Sequence, residues 1–149
     1  VGIYTVPWNL NSTQRVILDT TTTSANFWQF SEDIGTLRPN LWAARGLCSH
    51  VPIDIQTSST AVDTARSVTL RVPQGGIIIA AAISDQEVAN SVTWTGDATF
   101  TERRDGAITS AQMSCVEATN VTSSEACAVT ATFAVPSTTG TALIAASFK

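Results

Sequence analysis

The chain has 149 residues, of which 44% are hydrophobic and only 13% charged, with a formal net charge of −4. Low charge with many β-branched residues excludes a disordered tail, missing Glu/Lys/Leu heptads exclude a coiled coil, and an acidic balance without an Arg/Lys stripe argues against nucleic acid. The longest apolar run, Ile77 to Ile83, has the length of a strand and falls far short of the ~18 residues of a membrane-spanning helix.

Taken along the chain, Val6-Pro7 and Asn11-Ser12-Thr13 read as a turn leading into an alternating strand. Asn26 to Leu41 is rich in aromatics, and within it Ser31-Glu32-Asp33-Ile34 offers a short helix or a single turn, stopped by Gly35. Gln56 to Ala65 is small and polar and reads as an exposed connection. In Ser67 to Val72 the apolar residues Val68, Leu70 and Val72 alternate with Thr69 and Arg71, the period of a half-buried strand. Pro73-Gln74-Gly75-Gly76 then reads as a hairpin turn. Gly76 to Ile83 lacks alternation, which predicts a central strand covered on both faces, its alanines letting a second layer approach closely. Val92 and Trp94 alternate with Thr93 and Thr95, directing Trp94 toward the core, and Val129, Ala131 and Phe133 alternate with Thr130 and Thr132. Leu143 to Phe148 closes the chain as a last strand.

Short strands with regular turn punctuation predict an all-β fold, an antiparallel β-sandwich of jelly-roll or immunoglobulin-like type with little or no helix, built as a single domain over residues 1–149. Lys occurs only at Lys149, so edge strands have little protection by charge and are expected to be covered by neighbours or interrupted by bulges. The first residue is Val1, with no basic leader behind it, which suggests a processed or incomplete chain.

Of the three cysteines, Cys115 and Cys127 flank a turn. If the strands on either side of it pair antiparallel, the two sulfurs come within disulfide reach. Cys48 lies two residues from His50, the sole histidine. That pair lacks an oxyanion hole and an orienting acid beyond Asp54, so Cys48 reads as a structural thiol or a subunit-linking one. A Ser-His-Asp triad would have to use His50, and no Gly-x-Ser-x-Gly elbow or phosphate-cradling glycine loop occurs. Zinc would need a second close ligand pair beside Cys48 and His50, and the acids at 85, 87, 97, 102 and 105 are too sparse for calcium. The sequence therefore points to no catalytic residue, no metal and no cofactor. The aromatic cluster Phe27, Trp28 and Phe30 and the charge group Arg103-Arg104 are the candidates for subunit or ligand contact, since aromatics and Arg concentrate at interfaces.

The ordered series Trp42-Ala43-Ala44-Arg45-Gly46-Leu47, Pro52 and Asp54, Ser67 to Gly76, Thr93-Trp94-Thr95-Gly96, Thr101-Glu102-Arg103-Arg104-Asp105 and Ala142 to Phe148 resembles a β-sandwich domain found among tailed-phage and prophage structural proteins, especially those of alphaproteobacterial hosts. The likeness runs from about Val6 to Phe148. Members of that family carry further strands ahead of the point where this chain starts, which implies a missing N-terminal portion. The resemblance implies a virion or extracellular location, a non-enzymatic role as capsid decoration, head fibre or tail appendage, and partners among other virion proteins and further copies of the chain. The alternative is a carbohydrate- or receptor-binding module that attaches to a host-surface glycan.

Overall fold

A computed structural model describes residues 51–60, 63–85, 92–108, 111–137 and 140–149. These lie in the larger of two units into which the chain divides, Val1–Thr5 with Ala43–Lys149; the smaller unit, Val6–Trp42, lies outside the described residues. The eight strands are β1 (Asp54–Thr60), β2 (Ala65–Val72), β3 (Gly76–Ser84), β4 (Val92–Gly96), β5 (Thr101–Ile108), β6 (Ala111–Val121), β7 (Ser124–Phe133) and β8 (Thr141–Phe148). They form a five-stranded sheet in the order β1-β8-β3-β6-β5 and a three-stranded sheet in the order β2-β7-β4, with every pairing antiparallel. The expected all-β sandwich is what forms, and no helix occurs among the described residues.

One core lies between the sheets. Val68, Leu70 and Val72 of β2 and Cys127, Val129, Ala131 and Phe133 of β7 meet Ile78, Ala80 and Ala82 of β3, Val116 and Ala118 of β6, and Leu143 and Ala145 of β8. The period of two read from β2 and β7 is the period of this burial. β3 sits in the middle of the larger sheet, between β8 and β6. Its inward residues Ile78, Ala80 and Ala82 are fully buried, and Ala81 on the opposite face is nearly so. That explains a strand with no polar face. β8 beside it also buries both faces, through Leu143 and Ala145 inward and Ala146 and Phe148 outward.

The pairs β1–β8, β2–β7 and β3–β6 are nested, the wrapping of a jelly roll. It follows that β1 to β2, β2 to β3, β3 to β4, β4 to β5, β6 to β7 and β7 to β8 all cross between sheets, and β5–β6 is the one hairpin of consecutive strands described. Pro73 to Gly76 is therefore an arch between sheets, which corrects the hairpin expected there. Gly76 N–H donates to Pro73 O at 2.9 Å, with Gly75 at φ 71°, as a type II turn requires of its third residue. The arch from β6 to β7 lies against it: Gly75 N–H donates to Val121 O at 2.9 Å and Ser123 N–H to Gln74 Oε1 at 3.2 Å.

The register of β2 on β7 shifts between Leu70 and Val72, leaving Arg71 without a Cα partner there. Its backbone turns to the other sheet. Arg71 N–H donates to Asp54 Oδ2 at 2.9 Å, and Ser147 Oγ donates to Arg71 O at 2.7 Å. Asp54 and Ser147 are themselves paired across β1 and β8. The bond from Arg71 N–H is the main reason the Asp54 carboxyl titrates below its ordinary value; partial burial opposes it, and Gln56 adds a second donor.

The end of β4 is fixed differently. Asp97 N–H donates to Ala128 O at 3.1 Å, and Ala128 N–H donates to Asp97 Oδ2 at 2.8 Å. This draws Gly96, at φ 149°, so close to β7 that a Cβ would overlap the Ala128 carbonyl.

Two measurements check these contacts. Gly96→Ala is expected to destabilise by at least about 2 kcal/mol in urea unfolding, since both φ and the Ala128 backbone resist a side chain. Asp54→Ala is expected to cost about 1–2 kcal/mol near neutral pH. Because the folded pKa of Asp54 lies below its ordinary 3.8, this stabilisation is complete above that value and lost as pH falls through the lower folded value. Asp54→Asn, which can still accept from Arg71 but cannot titrate, should flatten the acid limb of the stability profile below about pH 4.

Candidate functional site

Among the described residues, a connected group of polar side chains gathers where β5 and β6 face β4. Its origin is a register shift in β5 between Glu102 and Arg104. Residues three apart on a regular strand face opposite ways. Here the extra residue, Arg103, puts Glu102 opposite Val116 and Asp105 opposite Ser114, so both carboxylates belong to the inward side. Ser114 is fully buried; its Oγ accepts from Trp94 Nε1 at 2.8 Å and donates to Glu102 Oε1 at 2.9 Å. Asp105 accepts from Val92 N–H at 2.9 Å through Oδ2 and from Gln112 Nε2 through Oδ1. The half-buried Trp94 ring packs on the core and lies 6.4 Å from Phe100, tilted by 44°.

Chemically, this arrangement is a tie between sheets. Both oxygens of Asp105 and one of Glu102 accept hydrogen bonds from the fold itself. The indole N–H of Trp94 is likewise engaged, and its ring is committed to Phe100 and the core, which weighs against Trp94 as a sugar-stacking platform. The core direction read for Trp94 from alternation is what the fold contains. Buried Ser114 and Gln112 were invisible in the sequence as site residues, because a small polar residue in a strand signals nothing until its partners on another strand are known.

Arg103, about half exposed, pairs with Glu117 on the outward side of the same sheet. Arg104 is half-buried and stands opposite Cys115. The two arginines thus share the outer side of the β5–β6 hairpin.

The expected Cys115–Cys127 disulfide does not form. β6 and β7 are not neighbours around a turn: they belong to different sheets. Cys115 pairs in register with Ala81 and Arg104, Cys127 with Leu70, and both are buried thiols. Cys127 belongs to the core between the sheets, whereas Cys115 lies one residue out of step with Val116 and so on the other face. Burial pushes the Cys115 thiol up to about 11 despite the opposing pull of Arg104, and burial followed by the charge of Asp97 raises Cys127. Neither thiol ionises near neutral pH, so neither is a ready nucleophile or soft metal ligand. Phe27, Trp28 and Phe30, with Cys48 and His50, lie outside the described residues.

An open groove of about 550 Å³ lies at the end of the five-stranded sheet among Thr60, Ile83, Ser84, Asp85 and Thr141. Asp85 accepts from Ser137 Oγ at 2.5 Å, and Ser137 Oγ accepts from Gly140 N–H at 2.6 Å, so this carboxylate helps to hold the start of β8. Among the described residues, no three His, Cys, Asp or Glu side chains are grouped so as to hold a metal ion.

Compared with known proteins, the chain matches no family model, and neither a curated protein nor a solved structure shows significant similarity to it.

The two thiols can be tested directly. In the native protein at about pH 8, Cys115 and Cys127 should alkylate far more slowly than after denaturation. Non-reducing peptide maps should contain no Cys115–Cys127 linked peptide.

Proposed function

We propose that the chain is a non-enzymatic structural protein of a phage-like particle, a β-sandwich serving as capsid decoration, head fibre or tail appendage. It works outside the cell among other virion proteins and further copies of itself. What supports this reading is the ordered series of turn and strand motifs, which resembles that of phage structural domains. The motifs that lie among the described residues fall at places that define the wrapping. Ser67 to Gly76 supplies β2, the arch and the start of β3. Trp94-Thr95-Gly96 supplies the end of β4, Thr101 to Asp105 the shifted part of β5, and Ala142 to Phe148 the strand β8.

Jelly-roll sandwiches serve both viral shells and lectins, so the fold alone does not choose between them. The polar side chains favour the structural role. Asp54, Asp97, Asp105 and Glu102 each accept a hydrogen bond from another strand of the fold. Glycan binding, by contrast, would rest on Phe27, Trp28 and Phe30, outside the described residues.

Density-gradient fractionation of particles from the source cells, followed by mass spectrometry, tests the proposal. The chain should band with particles at a fixed ratio to the major shell or tail protein, and immunogold labelling should mark one part of the particle. Recovery only from particle-free fractions would overturn it.

A further inference from the structure

A β-sandwich with two open sheets has four edge strands, and each exposes unpaired backbone groups that can recruit another strand. Among the described strands the edges are β1 and β5 of the larger sheet and β2 and β4 of the smaller. Three carry a protective device. β5 is broken by its register shift and lined by Glu102, Arg103, Arg104 and Asp105. β2 shifts at Arg71, whose N–H and C=O are bonded to Asp54 and Ser147. β4 has only five residues, and its first N–H is taken by Asp105.

β1 carries none of these. Its register on β8 runs without a shift from Asp54 to Thr60. Its sequence, Asp-Ile-Gln-Thr-Ser-Ser-Thr, contains no Lys, Arg or Pro, and its single carboxylate is engaged by Arg71 N–H of the other sheet. A second observation converges on the same place. The exposed large hydrophobic residues among those described are Val51, Ile53 and Ile55, at 58%, 39% and 47% exposure. Ile55 lies in β1, and Val51 and Ile53 in the segment that leads into it, so this apolar exposure lies at and just before the start of the unprotected strand.

We propose that β1 is an assembly edge: the β1 strands of two copies pair antiparallel about a two-fold axis and join their five-stranded sheets into one continuous sheet. The residues of β1 favour a second copy of the chain as the occupant. Antiparallel pairing centred on Thr57 sets Thr57 against Thr57, Gln56 against Ser58, Ile55 against Ser59 and Asp54 against Thr60. Every cross-strand pair is then free of like charge, and the hydroxyl and amide side chains can bond across the ladder. Parallel in-register pairing would instead align the two Asp54 carboxylates. The contact is isologous, and the outer edges of the joined sheet are the two protected β5 strands, so assembly closes at two copies and does not run on into a fibre. A seven-residue ladder is small for a specific interface, below about 1,200 Å² in total, so the dimer is concentration-dependent. None of this depends on the chain belonging to a particle.

Sedimentation equilibrium of the full chain, from micromolar to near-millimolar concentration, is the test. A reversible monomer–dimer equilibrium is expected. Thr57→Lys, which sets two cations against each other at the two-fold axis, should weaken it at least about tenfold while leaving the thermal midpoint of the monomer nearly unchanged. Thr57→Cys should cross-link into a disulfide dimer on mild oxidation, faster than the unsubstituted chain and faster than Thr101→Cys on the β5 edge. A chain that stays monomeric throughout, a dimer that Thr57→Lys leaves intact, or a Thr57→Cys chain that cross-links no faster than these controls would each overturn the proposal.

Discussion

Arg71 gives no side chain to the core, yet its backbone joins the two sheets. The register shift in β2 removes this residue from the ladder with β7, and Asp54 and Ser147 take up its N–H and C=O. Those two residues face each other across β1 and β8. One peptide segment of the small sheet is therefore gripped by two strands of the large one, where apolar contact alone would permit the sheets to slide. Hydrophobic burial is non-directional, and this pair of bonds gives the packing a position. Trp94 and Ser114, with Asp105 on Val92, do the same at the opposite side of the sandwich, between β4 and the β5–β6 hairpin.

The nested wrapping makes such ties necessary. Six of the seven connections pass from one sheet to the other, so neither sheet can form from a continuous stretch of chain. Strand partners are distant in sequence, loop-closure entropy opposes every pairing except β5–β6, and the ladders gain stability together or not at all. Among the described residues, the two glycines with backbone close against them, Gly76 beneath Phe148 O and Gly96 beneath Ala128 O, stand where the chain passes from one sheet to the other.

Much of this was legible in the residues. Gln56 to Thr60, read as part of an exposed connection, is instead most of β1, because a strand of small polar residues shows no apolar alternation; the other failures share a cause. Alternation placed β2, β7 and the direction of Trp94, and the missing polar face of Ile77 to Ile83 placed β3 at the centre of a sheet. Those are properties of single strands. The arch at Pro73 to Gly76 and the separation of Cys115 from Cys127 depend on which strands become neighbours. A short turn looks the same whether it folds a hairpin or crosses between layers, so local grammar read both places as hairpins. The convergence of Glu102 with Asp105 depends on a single extra residue in β5, which shifts one carboxylate onto the face of the other and leaves no trace in the order of residue types. Ser114 and Gln112 were unreadable for the related reason that a buried polar group is explained by its partners, and here those partners lie on other strands.

Because β1 and β8 pair antiparallel, the start of β1 lies beside the end of β8, with Asp54 next to Ser147. Tension applied through these two ends would not shear the ladder lengthwise. It would pull β1 and β8 apart sideways, so that the bonds between them open in sequence and each carries the whole load in its turn. The first load-bearing point is the corner where Asp54 and Ser147 hold Arg71, and peeling β1 away there strips off one side of that grip before the core is touched. The mechanical resistance of the sandwich along this direction is thus set by a few polar contacts at one corner, whatever the size of its hydrophobic interior.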